Sequence, residues 1–361
     1  MVTMKRYFIV KSGWENFDLS RAYGLGLILY ALSSESPEVI LSDKNYWYEI
    51  NAPPTLKPDV KRLSAYLGED LNWNETLTTT TLKEKNKIKM ETRQFLASKP
   101  KIREILESYS KFKTIQIPYK GKEAKTLYGS MELRSFKGFR EPIRMKTGYS
   151  EGGTPKVPLQ DWIISIVGHI NITIWEYGSN FNELLAVMPM PMYEGIRIAD
   201  LYMEIRGGIK QDIKRMHWAG RFPTLAYIGV ELTKSRAKLV EGTWEYSPRY
   251  ASLLYGSMVR SRRKQWKPVV AGLFPLDFLH DIARSPQCVE ILELWGDVFR
   301  KTNRKGCEDL AMTLSEFIAD PTLSNLAKYI NLHTRYLSTK KAWLNLYQDK
   351  IMREVMHNVR V

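Results

Sequence analysis

The feature that most constrains this chain is a change of character at Pro275. Beyond it, apolar residues recur at helical spacing in three successive segments: Val289, Leu292, Trp295, Val298 and Phe299; Leu323, Leu326, Ala327, Ile330 and Leu337; and Trp343, Leu346, Tyr347, Ile351 and Val355. That spacing lays an apolar stripe along one side of a helix, and the stripe must be buried against a neighbour. Ser285-Pro286 and Asp320-Pro321 precede the first two segments, each a capping residue followed by a proline suited to the first helical position. Short connections between such helices predict a bundle of four or five.

Charge changes at the same place. Residues 275–361 hold 12 Lys and Arg against 11 Asp and Glu, whereas residues 1–274 hold 42 against 28. Nearly all of the net charge of +15 therefore lies in the first three quarters of the chain. An asymmetry of this kind points to an extended anionic partner, nucleic acid before membrane surface.

Upstream, strand and helix signals are mixed. KRYFIV (5–10) reads as a strand, and Asp18 as the N-cap of a helix with Leu19, Tyr23, Leu27 and Tyr30 on one face. PEVILS and NYWYEI suggest strands, residues 82–110 are helix-prone, and KTIQIPY (113–119) suggests an edge strand. Residues 120–157 read as a basic, glycine-bearing loop, and Pro158 opens a helix. ELLAVMPMPM and TLAYIGVEL read as strands, and IRIADLYMEI fits either element. The expectation is an α+β fold: a mixed α/β body over 1–274, binding nucleic acid, and an α-helical bundle over 275–361, docking against other subunits.

The longest apolar runs, GLGLILYAL and IISIVG, fall short of the roughly 18 residues a membrane span needs. The start reads as a strand and not as a signal sequence, so a cytoplasmic location without membrane contact is expected. Only Cys288 and Cys307 occur, with no CxxC, which excludes zinc ribbons and fingers and leaves the two as buried small hydrophobes.

Motifs for catalysis are incomplete. Gly24-x-Gly26 follows a strand, but the third glycine of a dinucleotide fingerprint would fall at Leu29, so small residues for close helix packing are the better reading. His280-Asp281 resembles an adjacent metal-ligand pair yet lacks further ligands around it. Glu123-x-Lys125 would need an upstream acid, and Asp59 stands too far away for a restriction-type site. His333 continues the Ile330 face of its helix and reads as an interface histidine. No catalytic residue, metal or cofactor is assigned.

The basic segments carry more. Residues 120–146 include Lys137, Arg140, Arg144 and Lys146 with Phe136 and Phe139 interleaved, a pattern suited to gripping phosphates. EIRGGIKQDIKRMHWAGRF (204–222) joins Arg206, Lys210, Lys214, Arg215 and Arg221 to a Gly207-Gly208 turn, with Gln211 able to enter a groove. GSMVRSRRKQWKPVV (256–270) holds Arg260, Arg262, Arg263, Lys264 and Lys267 inside an acid-free run from Tyr246 to Leu276. Three such segments in one body predict nucleic-acid binding.

RYFIVKSGWENFDLSRAYGLGLILYAL, GSMVRSRRKQWKPVV and EFIADPTLSNLAKYINLHTRYL, in this order, resemble the large subunit of a type I (subtype A-like) CRISPR Cascade surveillance complex. The resemblance implies a DNA-binding subunit without nuclease activity. It would recognise the protospacer-adjacent motif in duplex target DNA, aid strand separation, hold the displaced strand and recruit the helicase-nuclease. Its partners would also include the crRNA and other Cascade subunits. Motif reading in similar subunits uses a glycine-bearing loop, a lysine and a glutamine, roles for which Gly207, Gly208, Lys210 and Gln211 stand; EGGTPK (151–156) offers a competing loop. Sequence specificity would rest on guide–target pairing, with Arg and Lys holding backbone. Two other classes stay open: a metal-dependent nuclease acting on DNA, and a general RNA-binding protein.

Overall fold

KRYFIV forms the first strand, β1 (Lys5–Val10), with Tyr7 and Ile9 fully buried. The computed structural model describes residues 4–13, 15–33, 38–54, 56, 60–64, 66, 73, 82–113, 158–178, 182–216, 218–240, 243–260, 266–286, 289–301, 308–338, 353 and 355–359. The expected strand over 113–119, the basic loop to Lys146, EGGTPK, Asp59, Glu123, Lys125 and both cysteines lie wholly or almost wholly outside these residues, as does most of the last C-terminal segment.

After β1 the chain enters α1 (Glu15–Leu32), in which every residue except Glu15 and Tyr30 is buried. The helix is thus enclosed on every side and not only along the expected apolar face, with Asn16, Asp18, Ser20 and Arg21 among its buried residues. Asp18 lies inside the helix and does not cap it. Its carboxylate accepts from the Ser12 N–H at 2.7 Å and the Ser12 hydroxyl at 2.8 Å, and pairs with buried Arg21 at 2.6 Å. Arg21 also reaches Asp161 at 3.0 Å and the Val10 carbonyl at 3.0 Å, and Tyr109 donates to Asp161. A buried cation stays charged only with such partners.

Helix α1 crosses a second buried helix, described below, and the glycines there permit backbone contact. A Cβ on Gly24 would stand 1.8 Å from the Ile164 carbonyl oxygen, and one on Gly168 would stand 2.0 Å from that of Ser20. The Gly-x-Gly pattern is a packing device, as its spacing suggested.

Strands β2 (Ile40–Asp43) and β3 (Trp47–Ala52) form a hairpin beside β1. Helices α2 (Val60–Ser64), α3 (Leu82–Ala97) and α4 (Lys99–Tyr109) follow, the last two separated at Ser98 with Pro100 in the first turn. Helix α5 (Leu159–Ile172) begins at Pro158, as expected, and is the helix that α1 crosses. It leads into β4 (Ile174–Tyr177), β5 (Glu183–Pro191) and the short β6 (Ile196–Arg197). Next come α6 (Ile198–Met203), a π-helical stretch (Glu204–Ile209) and α7 (Lys210–Arg215) in one run. The Gly207-Gly208 turn expected from sequence is therefore helix.

TLAYIGVEL is also helix, within α8 (Arg221–Lys234), and not the strand its composition suggests. All residues from Pro223 to Val230 are buried, with β9 and the C-terminal helices packed around them. A helix covered on every side shows no 3.6-residue polar rhythm, so its β-branched and aromatic residues imitate a buried strand. A small hairpin follows, β7 (Ala237–Val240) with β8 (Thr243–Tyr246), then β9 (Tyr250–Arg260) and β10 (Trp266–Pro275).

The strands make two four-stranded sheets, ordered β1-β3-β2-β6 and β10-β9-β5-β4, and every named pair is antiparallel. With helices packed around them the fold is α+β. Beyond β10 lie α9 (Asp277–Ala283), α10 (Val289–Arg300), α11 (Glu308–Ala319) and α12 (Leu323–Ser338). Phe278, Trp295 and Phe317 pack ring on ring, and Arg300 pairs with Glu231 of α8 at 3.0 Å. Residues on both sides of position 275 contribute to one hydrophobic core.

Candidate nucleic-acid interface

The run from Ile198 to Arg215 buries Ile198, Leu201, Ile205, Ile209 and Ile213. From Leu201 the spacing is four residues, longer than the 3.6 of an α-turn, so the apolar line would drift around a regular helix. The wider π-helical turn at Glu204–Ile209 takes up the excess and keeps that line inward. Arg236 holds the stretch in place through Glu204 and, at 3.4 Å, Asp200, while Tyr250 donates to Glu204 at 2.8 Å.

The opposite side of the run faces water. Met203 is 65% exposed, and Gly207, Gln211, Lys214 and Arg215 are exposed with it. A Cβ on Gly207 or Gly208 would meet none of the described residues within 4 Å. Packing among the described residues therefore does not require either glycine, although each costs a helix about 1 kcal/mol relative to alanine. The result is a strip of bare backbone between cationic side chains.

Two of the basic residues have partners inside the protein. The Arg206 guanidinium lies over the Tyr202 ring, 5.4 Å from its centroid, and donates to its hydroxyl. Lys210 Nζ donates to the Asn171 carbonyl at 2.8 Å, in the last turn of α5, where a cation meets the negative end of the helix. Nearby His169 is held neutral: burial, with the Lys210 charge adding to it, lowers its pKa to about 3.

The stretch GSMVRSRRKQWKPVV is the β9–β10 hairpin. Arg260 is exposed at the end of β9 opposite Trp266, and its N–H donates to the Asn182 carbonyl at 2.7 Å. Lys267 occupies β10 opposite Val259. Arg262, Arg263 and Lys264, between the two strands in sequence, lie outside the described residues, as do Lys137, Arg140, Arg144 and Lys146.

The second and third basic segments meet at one end of the second sheet. Glu183, which opens β5, lies opposite Val259 and pairs with Arg221 Nε at 3.1 Å. The Trp218 ring comes within 3.3 Å of where a Cβ on Gly178 would stand, just after β4. The segment that leaves α7 after Lys214 and Arg215 thus runs past the sheet end at which Arg260 projects.

The candidate metal pair is otherwise engaged. His280 Nδ1 accepts from the Tyr246 hydroxyl at 2.5 Å and Nε2–H donates to the Tyr250 carbonyl at 2.7 Å, while Asp281 faces Arg284 at 3.4 Å. His333 is buried and bonded to Tyr329 at 3.1 Å. Among the described residues no group of three or more His, Cys, Asp or Glu side chains could hold a metal ion, and no helix is long and apolar enough to cross a membrane. Sequence reading does not single out Tyr46, Tyr193 or Phe112, since a lone aromatic in a turn carries no periodic signal.

Fold and surface together define an α+β protein that presents a cationic, glycine-bearing helical face. No family model matches the sequence. It is 39% identical over 364 residues to an uncharacterized protein of Archaeoglobus fulgidus, with 100% of both chains covered, and the chain belongs to the same family as that archaeal protein.

Proposed function

We propose that the protein is a non-catalytic DNA-binding large subunit of a CRISPR RNA-guided effector complex, working in the cytoplasm. It recognises a short duplex motif, aids strand separation and recruits a helicase-nuclease. The observation that carries this reading is the outward Gly207-Gly208 backbone flanked by Arg206, Gln211, Lys214 and Arg215. Two glycines that packing among the described residues does not need make sense where another molecule approaches the backbone closely. Gln211, one turn along the same exposed side, can reach a base edge, and Lys214 and Arg215 can bind phosphates without reading sequence. Lys210 enters this scheme as the residue that anchors the run to α5.

The test is selection from a duplex library randomised over a few base pairs, using purified protein. The intact chain enriches a motif. Gly207→Ala or Gly208→Ala abolishes enrichment while raising thermal stability, each by roughly 0.5–1 kcal/mol, because alanine is the better helix former. Enrichment unchanged in both variants would remove these glycines from motif reading. Strong preference for structured RNA over duplex would favour a general RNA-binding protein, and Mg²⁺-dependent cutting of DNA by the purified chain a nuclease.

A further inference from the structure

We propose that the β2–β3 turn, with the residues packed around it, is a stacking platform for unpaired bases of a single-stranded nucleic acid. Four large aromatic side chains stand exposed among the described residues, and the three most exposed gather here: Tyr46 at 80%, Tyr193 at 63% and Phe112 at 60%. The surface is built and not incidental. Asn45 takes a positive φ of 65°, a conformation its short polar side chain tolerates, and its N–H donates to Asp43 at 2.9 Å. That turn throws Tyr46 outward while its carbonyl accepts from the Lys11 N–H at 3.0 Å.

The two other rings come from outside the hairpin and are held against it. Lys44 Nζ sits 3.3 Å from the centroid of the Tyr193 ring and donates to the Tyr193 carbonyl at 2.8 Å. Phe112 stacks on Phe8 with centroids 4.1 Å apart and planes inclined by 22°, and Trp47 meets it edge-on at 5.2 Å. One face of Phe112 is thus occupied by a protein ring, and its exposure leaves the other for a further flat ring.

The chemistry of the surroundings selects the occupant. Lys44 lies over the Tyr193 ring, exposed Lys111 and Lys113 flank Phe112 in the chain with Lys113 Nζ reaching Ser108 at 3.4 Å, and the acids nearby are exposed Glu194 next to Tyr193 and Glu49 opposite Phe8. Separate rings with lysines beside them suit a strand that stacks base by base and lays its phosphates alongside. A duplex keeps its bases stacked on one another and cannot use the rings. This deepens the reading above by giving the unpaired strand its own place, at the β2–β3 turn and not on the duplex-facing helical run.

The experiment is fluorescence anisotropy of the full chain with labelled pyrimidine-rich single-stranded DNA, the same sequence as RNA, and a blunt duplex. Tyr46→Ala and Phe112→Ala should each weaken single-strand binding about tenfold, and Phe112→Trp should retain it. Duplex affinity should stay within about twofold in all three, because the rings play no part there. Unaltered circular dichroism and melting exclude misfolding. Preference for DNA assigns the platform to a displaced strand, and preference for RNA to a guide. The proposal is overturned if the unaltered chain does not bind single strands. It also falls if Tyr46→Ala/Phe112→Ala/Tyr193→Ala binds them like the unaltered chain, or loses single strand and duplex equally. A separate arm, Lys214→Ala/Arg215→Ala, should weaken duplex binding; if it does not, the duplex reading fails and the platform stands.

Discussion

Glu176 shows how one residue couples this fold to pH. It lies on β4 and is buried, and Thr224 of α8 donates to its carboxylate. Burial, opposed in part by that hydrogen bond, pushes its pKa up to about 8. The folded chain therefore keeps this proton until about pH 8, whereas the unfolded chain releases it near 4.5. Stability is full below 4.5, falls as pH rises to 8, and then levels off. His169 works the other way: its depressed pKa makes the stability it contributes full above 6.5 and lost as pH falls toward 3. The two offset one another between 4.5 and 6.5, leaving Glu176 alone above. Chemical denaturation at pH 6.5 and 8.5 should show a loss of about 2 kcal/mol, and Glu176→Gln should abolish that loss. A variant as pH-sensitive as the parent would assign the effect elsewhere. Neither residue stands out in the sequence, where one glutamate and one histidine give no sign of how deeply a sheet and two helices will bury them.

At the scale of elements, the α1–α5 crossing organises the body. The glycines at 24 and 168 let two helices touch backbone to backbone, and Arg21 with Asp18 and Asp161 satisfies the charges enclosed beside them. Gly24→Ala or Gly168→Ala should destabilise the protein by about 3 kcal/mol or more, since the added methyl meets a carbonyl that cannot move aside alone. Melting that stays unchanged in either variant would contradict so close a crossing. Elements with a clear period or punctuation were legible in the sequence: β1, the β2–β3 hairpin, the helix after Pro158, and the Val289 and Leu323 helices. Helix α8 was not, because burial on every side removes the rhythm that marks a helix. The Gly207-Gly208 pair was misread for a related reason. Adjacent glycines usually signal a turn, but here Leu201, Ile205, Ile209 and Ile213 hold the chain helical through a π turn.

For the whole molecule, the electrostatic consequence is a salt dependence. Removing charge at Arg260, Lys214 and Arg215 should weaken duplex binding on any sequence and lower the slope of log affinity against log salt by roughly one for each phosphate no longer neutralised. A titration of binding against salt for the triple alanine variant measures this, and an unchanged slope would leave these residues as a solvated face. The sequence by itself determined the charge asymmetry, the α+β composition and the helical tail, because net charge and apolar periodicity are properties of the order of residues. Only the tertiary structure decided which of those residues share a surface. It brought the segment after α7 to the same sheet end as Arg260, turned Lys210 onto the end of α5, left Gly207 bare, and gathered Tyr46, Tyr193 and Phe112 around one turn. Such neighbours are far apart along the chain, and their meeting depends on how sheets and helices pack, which no local pattern of residues records.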